Sequence, residues 1–330
     1  MPNIAINGFG RIGRNVFKAG FGKIGFSVVA INDLADPKTL AHLLRHDSTY
    51  RGYSRQVVSG EGFIAVDGIR IPVFAEKDPS KLPWKDLDVD VVLECTGRFT
   101  DLESASVHLT AGAKRVIISA PGKGGIPTFV MGVNHEAVKE SPAKVLNNAS
   151  CTTNCISPVA AVMHEVFGVQ KAMMTTIHSY TQDQQLLDGP HKDLRRARSA
   201  AQSIIPTTTG AAIATTEVIP ELKGLFDGLS IRVPTPVVSL SDMTFLLKKK
   251  TTAEEINEAL KEAAASPRWK GIMETTEEEL VSSDFIGNPA SCIVDLPLTS
   301  VVDGDLVKVV AWYDNEWGYS HRLAELALLA

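Results

Sequence analysis

The stretch NIAINGFGRIGR, residues 3–14, decides the fold. Asn3-Ile4-Ala5-Ile6 is a short apolar strand pattern; Asn7-Gly8-Phe9-Gly10-Arg11-Ile12-Gly13-Arg14 follows at once and runs into helical spacing through Val16 and Phe17. Each glycine of this GxGxxG has its own task. Gly8 permits the tight strand-to-helix turn, Gly10 lets the backbone approach a pyrophosphate, and Gly13 lets the helix pack closely on the strand. The pyrophosphate would sit on the positive helix N-terminus. A second strand, Ser27 to Asn32, ends in Asp33, where a carboxylate accepts hydrogen bonds from adenosine ribose hydroxyls and repels a 2′-phosphate. NAD is therefore expected rather than NADP. A GxGxxG without these flanks is only a glycine-rich turn; strand, helix and Asp33 together carry the reading.

The first half continues in this manner. Apolar, β-branched runs at Val89 to Leu93 and Arg115 to Ser119 lead into loops, as strands of a parallel sheet do. Ligands lie beyond the carboxyl ends of such strands, which makes Thr96, Gly97 and Ser119 candidates for lining a cofactor cleft. Asp101 to Gly112 reads as the intervening helix, and Ser48 to Pro83 as a small antiparallel excursion.

After residue 150 the pattern changes. Strand patterns at Ala172 to Ile177, Ser230 to Val233, Val237 to Leu247, Ser291 to Asp295 and Leu306 to Trp312 point to a mostly antiparallel sheet backed by helices. A final helix is expected over Glu316 to Leu329. The fold class expected is thus α/β, a Rossmann-type parallel sheet domain plus an α+β catalytic domain with a mostly antiparallel sheet. The domains are drawn as 1–150 with 315–330, and 151–314.

Composition excludes several classes. The 330 residues, 44% hydrophobic and 22% charged, suit a soluble globular chain of two domains. A formal net charge of -5 gives no general pull toward nucleic acid or anionic lipid. No run approaches the ~18 apolar residues of a spanning helix, and MPNIAINGFG lacks a secretory n-region, so no membrane association and a cytoplasmic location are expected. Four cysteines, Cys95, Cys151, Cys155 and Cys292, are too few for a disulfide scaffold. Cys-x-x-x-Cys is no zinc spacing, and His42 and His46, four apart, lack the Glu of HExxH. No metal is assigned.

NASCTTNC, residues 148–155, places Cys151 between a short strand, Lys144 to Leu146, and a helical pattern from Thr152. A thiol at a helix N-terminus meets the helix dipole and free backbone N–H groups, which favour thiolate and can hold an oxyanion. The plain alternative, a small buried hydrophobe, is preferred for Cys155, Cys95 and Cys292. His178 stands at a strand end soon after that helix, so a helix–strand return can bring it to the thiol. Arg232, isolated between Ile231 and Val233, has the fork suited to phosphate.

Together, INGFGRIGR (6–14), NASCTTNC (148–155), TTIHSYTQDQ (175–184), PHKDLRRAR (190–198), RVPTP (232–236) and WYDNEWGYS (312–320) closely resemble the phosphorylating glyceraldehyde-3-phosphate dehydrogenases, over nearly the whole chain. The resemblance implies that Cys151 attacks the aldehyde of glyceraldehyde 3-phosphate. His178 would hold the thiolate in an ion pair and then act as base while hydride leaves for NAD. Inorganic phosphate would attack the resulting thioester to release 1,3-bisphosphoglycerate. It implies Thr181, Asp183 and Arg232 at the substrate phosphate, and Ser150, Thr152, Thr209 and Gly210 at the inorganic phosphate. Asn315 would hold the nicotinamide amide, and Lys77 would lie near the adenine, where arginine is frequent in the family. Leu34 and Pro190 match its NAD-preferring pattern. Ser179 to Gln202, with its basic His191 to Arg198 stretch, resembles the family's S-shaped loop at the core of a homotetramer. Nucleic acid is therefore not an expected partner. Erythrose-4-phosphate dehydrogenase shares most motifs, but Thr207-Thr208-Thr209-Gly210 resembles the glycolytic form better. A non-catalytic nucleotide- or RNA-binding protein has no use for Cys151, His178 and Arg232 together, nor a cysteine hydrolase for the NAD fingerprint.

Overall fold

The computed structural model describes all 330 residues. They pack as two units: Met1–Phe129, Asn134–Ala149 and Ser320–Ala330 in the first, Val130–Val133 and Ser150–Tyr319 in the second.

The first unit contains β1 (Asn3–Asn7), α1 (Arg11–Gly20), β2 (Ser27–Asn32), α2 (Pro37–Arg45), a short hairpin of β3 (His46–Asp47) and β4 (Arg51–Gly52), β5 (Val57–Gly60), β6 (Phe63–Val66), β7 (Ile69–Phe74), β8 (Val91–Glu94), α3 (Leu102–Thr110), β9 (Arg115–Ile118) and β10 (Val145–Asn147). Eight strands form one sheet in the order β10-β9-β8-β1-β2-β7-β6-β5. The pairs from β10 through β7 are parallel. β5, β6 and β7 pair antiparallel, so the excursion expected over Ser48 to Pro83 extends the main sheet instead of standing apart. Both faces are covered, which is why β1 and β8 are apolar runs without alternation. Ala5, Ala30, Val92, Val116, Ile118 and Trp84 belong to one buried cluster on this sheet. The strand order turns at β1, with β2 on one side and β8 on the other, which is the topological switch point where ligands of such sheets bind.

The second unit holds α4 (Cys151–Phe167), β11 (Val169–Ser179), β12 (Ile205–Thr207), α5 (Ala211–Val218), β13 (Phe226–Val233), β14 (Ser239–Leu247), α6 (Ala253–Ala265), β15 (Met273–Thr276), β16 (Cys292–Asp295), β17 (Ser300–Val302) and β18 (Leu306–Tyr313). Its sheet runs β12-β13-β11-β14-β18-β16-β15, with β17 on β18. Only β11/β13 and β15/β16 are parallel, so the sheet is mostly antiparallel, as its alternating strands suggest. Along β11, Ala172, Met174, Thr176 and His178 are buried, whereas Met173 between them is exposed, as is Leu229 on neighbouring β13. The last helix, α7 (Trp317–Leu329), supplies the first unit with its residues from Ser320 onward. His46 lies in β3 and not in the helix of His42, although the two rings are 4.9 Å apart.

Candidate active site

In the first unit the glycine turn is shaped by close approach. Gly8 has φ 90°, and a Cβ there would lie 2.8 Å from the Thr96 nitrogen. A Cβ on Gly13 would lie 2.1 Å from the Gly8 carbonyl oxygen, whereas one on Gly10 would meet nothing within 4 Å. The turn is therefore closed beneath and open above, at Gly10, the N-cap of α1. Arg11 and Ile12 begin that helix, and Arg11 NH1 donates to Asp47 Oδ2 at 2.7 Å. Asp33 follows β2; its Oδ2 accepts from Phe9 N at 2.7 Å and its Oδ1 from Ala35 N at 3.0 Å. Each oxygen keeps a lone pair for a further donor. Lys77 is exposed, beside the Glu76 whose N–H donates to Asn32. Thr96, Gly97 and Ser119 follow β8 and β9 as expected; Gly97 has φ 69° and Ser119 N donates to Glu94 O at 3.0 Å.

Beneath these strand ends lies a polar network that sequence reasoning missed. The Glu94 carboxylate, fully buried, accepts from Asn7 Nδ2 at 2.5 Å, from Thr96 N at 2.8 Å and from the Thr96 hydroxyl. Trp84 Nε1 donates to His108 Nδ1 at 3.0 Å, which leaves the proton on Nε2, 3.1 Å from Glu94 Oε2. Asn32 Nδ2 in turn donates to Asn7 Oδ1 at 2.7 Å. A buried carboxylate persists only with such saturation, and here it ties the ends of β1, β2 and β8 together. Glu94 ends an apolar strand and His108 lies among Ser106, Val107, Leu109 and Thr110, so nothing along the chain announces the pair.

In the second unit, the chain enters α4 after Ala149, whose φ of 54° is uncommon for a residue with a Cβ. Ser150 is the N-cap, its hydroxyl accepting from Thr153 N at 3.0 Å, and Cys151 is the first helical residue. Its Sγ lies 3.4 Å from His178 Nε2. His178 Nδ1 is 2.7 Å from the Ser179 carbonyl oxygen and 3.1 Å from Arg232 NH1. A carbonyl at 2.7 Å demands a proton on Nδ1, so Arg232 donates instead to Ser179 O and, at 2.9 Å, to the Thr181 hydroxyl. That tautomer leaves Nε2 as an acceptor facing the thiol.

Electrostatics modify the expectation of a lowered thiol pKa. Burial pushes the Cys151 thiol up, and the Arg232 charge with hydrogen bonds at Thr152 pulls it only part of the way back. Burial, then Arg232, holds the His178 ring down to about 3. These surroundings favour the uncharged form of both groups, with Nε2 placed as an acceptor beside the thiol.

Around the pair, Arg232 on β13 reaches Thr181, whose hydroxyl bonds Asp183. Burial opposes ionisation of Asp183, yet the Thr181 hydroxyl, Arg232 and Arg196 hold its carboxyl below the usual range. Arg196 was not singled out within the RRAR run, yet it spans the site. Its NH1 is 2.6 Å from Asp183 Oδ2, its Nε 2.9 Å from the Thr207 hydroxyl and its NH2 3.1 Å from Thr208 O. Thr209 caps toward Ala211 N at 3.2 Å and Gly210 precedes α5, which brings a second helix N-terminus into the set. The Thr152 hydroxyl faces inward to Tyr313 OH at 2.9 Å, and Tyr313 also meets the Thr176 hydroxyl at 2.8 Å. Asn315 Oδ1 accepts from Ser239 Oγ at 3.0 Å. Thiol, imidazole, guanidinium and two helix N-termini therefore converge, an arrangement able to run covalent acyl chemistry beside phosphate groups.

Comparison with known proteins gives this chemistry relatives. Residues 2–102 match the model for the glyceraldehyde 3-phosphate dehydrogenase NAD binding domain, and residues 150–315 match that for the C-terminal domain. The glyceraldehyde-3-phosphate dehydrogenase of Geobacillus stearothermophilus is 55% identical over 324 residues, covering 98% of this chain and 96% of the relative. That of Borreliella burgdorferi is 54% identical over 330 residues, covering 98% of each.

Proposed function

Since the chain belongs to the glyceraldehyde-3-phosphate dehydrogenase family, we propose that Cys151 is its nucleophile and His178 the general base. The protein is an NAD-dependent oxidoreductase that converts glyceraldehyde 3-phosphate and phosphate to 1,3-bisphosphoglycerate. The observation that carries the residue assignment is the 3.4 Å approach of Cys151 Sγ to His178 Nε2.

In this reading Nε2 takes the thiol proton as Sγ bonds to the aldehyde carbon, giving a thiohemiacetal whose oxyanion faces the N–H groups at the start of α4. Arg232 disfavours a lasting imidazolium, so the proton is held briefly and returned. His178 then accepts the hydroxyl proton as the thiohemiacetal collapses to a thioester. Phosphate attacks the thioester carbon, and the thiolate leaves and recovers its proton. NAD, when bound, supplies the hydride acceptor. The residues fit that group: the space above Gly10, the turn at Gly8 and Gly13, and Asp33 would hold it, with Asn7, Arg11, Ile12, Lys77, Thr96, Gly97 and Ser119 around it. Asn315 would take the nicotinamide amide.

Thr181, Asp183 and Arg232 are the proposed substrate phosphate site, and Ser150, Thr152, Thr209 and Gly210 the proposed inorganic phosphate site. Charge-assisted hydrogen bonds and free helix N–H groups support both. Thr152 would act there through its backbone N–H, because its hydroxyl is engaged. Residues 1–150 with 315–330 are the proposed NAD-binding domain and 151–314 the catalytic domain. A cytoplasmic homotetramer is proposed as well. Leu186, Leu187 and Leu194, 71%, 71% and 81% exposed in the loop before β12, support it, as does exposed Met173 on the sheet. The deciding test is NADH formation from glyceraldehyde 3-phosphate and NAD, with and without phosphate, in wild type and Cys151→Ser. Phosphate-dependent formation absent from the variant is expected; formation that survives the substitution overturns the nucleophile assignment.

A further inference from the structure

Ser239 opens β14 fully buried, and its hydroxyl is committed at both ends. Oγ accepts the Ser179 backbone N–H at 3.1 Å and donates to Asn315 Oδ1 at 3.0 Å. Ser179 carries the carbonyl that takes the Nδ1 proton of His178. The Ser179 hydroxyl donates in turn to Val238 O at 2.7 Å, and Val238, β-branched and buried, is held at φ 68°, a region valine rarely adopts. The protein thus maintains an unfavourable backbone next to Ser239 in order to close this set of bonds.

A serine hydroxyl has one proton. Because Oγ already accepts from Ser179, that proton needs an acceptor, and only the oxygen end of the Asn315 amide provides one. The amide is thereby fixed with its other end, the Nδ2 donor, free for a ligand oxygen. We infer that Ser239 is a positioning residue for two parts of the reaction at once. By holding the Ser179 N–H it fixes the backbone of the residue whose carbonyl takes the His178 Nδ1 proton, and so supports the tautomer that leaves Nε2 as the base. Through Asn315 it turns a donor toward an acceptor such as the carboxamide oxygen of nicotinamide, which rests on the reading of Asn315 proposed above.

The test compares Ser239→Ala and Ser239→Thr in the full chain. NAD affinity is read by quenching of intrinsic fluorescence, His178 by the pH profile of Cys151 alkylation with iodoacetamide in cofactor-free protein, and turnover by kcat and KM. Ser239→Ala is expected to bind NAD about 5-fold more weakly, the scale of one lost hydrogen bond, and to alkylate several-fold more slowly at neutral pH. Its kcat falls while the KM for aldehyde holds. Ser239→Thr keeps the hydroxyl and restores all three. An alanine variant that binds NAD and alkylates as wild type overturns the inference, as does a threonine variant that melts as wild type yet behaves like alanine. Should the alanine variant not fold, Asn315→Asp decides: it keeps the acceptor for Ser239 but cannot donate, so weaker NAD binding supports the fixed polarity and wild-type binding overturns it. Wild-type turnover in the same assay separates the two readings, because its absence would count against the reaction and not against Ser239.

Discussion

Sγ of Cys151 and Nε2 of His178 lie 3.4 Å apart, in surroundings that favour the uncharged form of both. In the proposed reaction, activation is consequently a proton transfer made as the aldehyde is attacked. Replacing His178 with Asn keeps a polar group of similar size without a base, and should lower the acylation rate about 10²- to 10⁴-fold with little change in aldehyde binding. Stopped-flow NADH bursts measure this; a wild-type burst would exclude His178 as the base.

Arg232 donates to Thr181, and its charge pulls the thiol pKa down against burial. Arg232→Ala should raise the KM for glyceraldehyde 3-phosphate about 100-fold, the value of a lost charge-assisted contact, and raise the Cys151 pKa further. Arg232→Lys should recover the charge but not the fork, and so only part of the loss. Steady-state kinetics with the pH dependence of alkylation test both points.

Acid should find the same histidine. The folded His178 ring titrates at about 3, below the ordinary value of 6.5, so as pH falls from 6.5 toward 3 the unfolded chain binds a proton that the folded chain refuses. Above pH 6.5 both states are neutral and the group contributes nothing to the pH dependence. Between these limits stability should fall by up to ~1.4 kcal/mol per pH unit from this group. His178→Asn should move the acid-unfolding midpoint to lower pH, measured by circular dichroism, and an unmoved midpoint would contradict it.

Glu94 tests the buried network. Glu94→Gln places an amide donor either against both Asn7 Nδ2 and His108 Nε2, which share Oε2, or against the Thr96 N–H on Oε1, so at least one buried donor loses its acceptor. Breaking a buried charged network costs about 3–5 kcal/mol, and Tm should drop accordingly. NAD affinity should fall as well, because Thr96 and Gly8 are held against each other. Calorimetry reads both quantities.

Asp33→Asn should weaken NAD and relax the discrimination against NADP, since a neutral amide no longer repels a 2′-phosphate. The amide oxygen can still accept from Phe9 N, with Nδ2 then facing Ala35 N, so the glycine turn should survive while the bond to Ala35 is lost. Titration with both cofactors decides.

Much of this was legible along the chain because local patterns carry it. The GxGxxG turn declares itself through its glycines, of which Gly8 and Gly13 leave no room for a side chain, and strands β1 and β2 through short apolar runs of the right length. Cys151 and His178 were legible as types, one at a helix start and one at a strand end. Their approach was legible as a helix–strand return from α4 to β11, which the resemblance strengthened. Glu94, His108, Ser239 and Arg196 were not legible. Each gains its role from partners 13 to 87 residues away, and such pairings leave no periodicity to read. The lowered thiol pKa was expected from the helix dipole and the free backbone N–H groups, and burial, which a sequence does not display, outweighed them.

The 2.1 Å separation between a Cβ at residue 13 and the Gly8 oxygen carries a consequence for how such a cofactor site can evolve. Residue 13 is closed to all nineteen other side chains, because even a methyl group would force helix α1 off the strand. Residue 10, with open space above it, admits a side chain sterically. Variation in cofactor grip can therefore accumulate at residue 10 and along the rim, while residue 13 holds the helix at a fixed distance through every change.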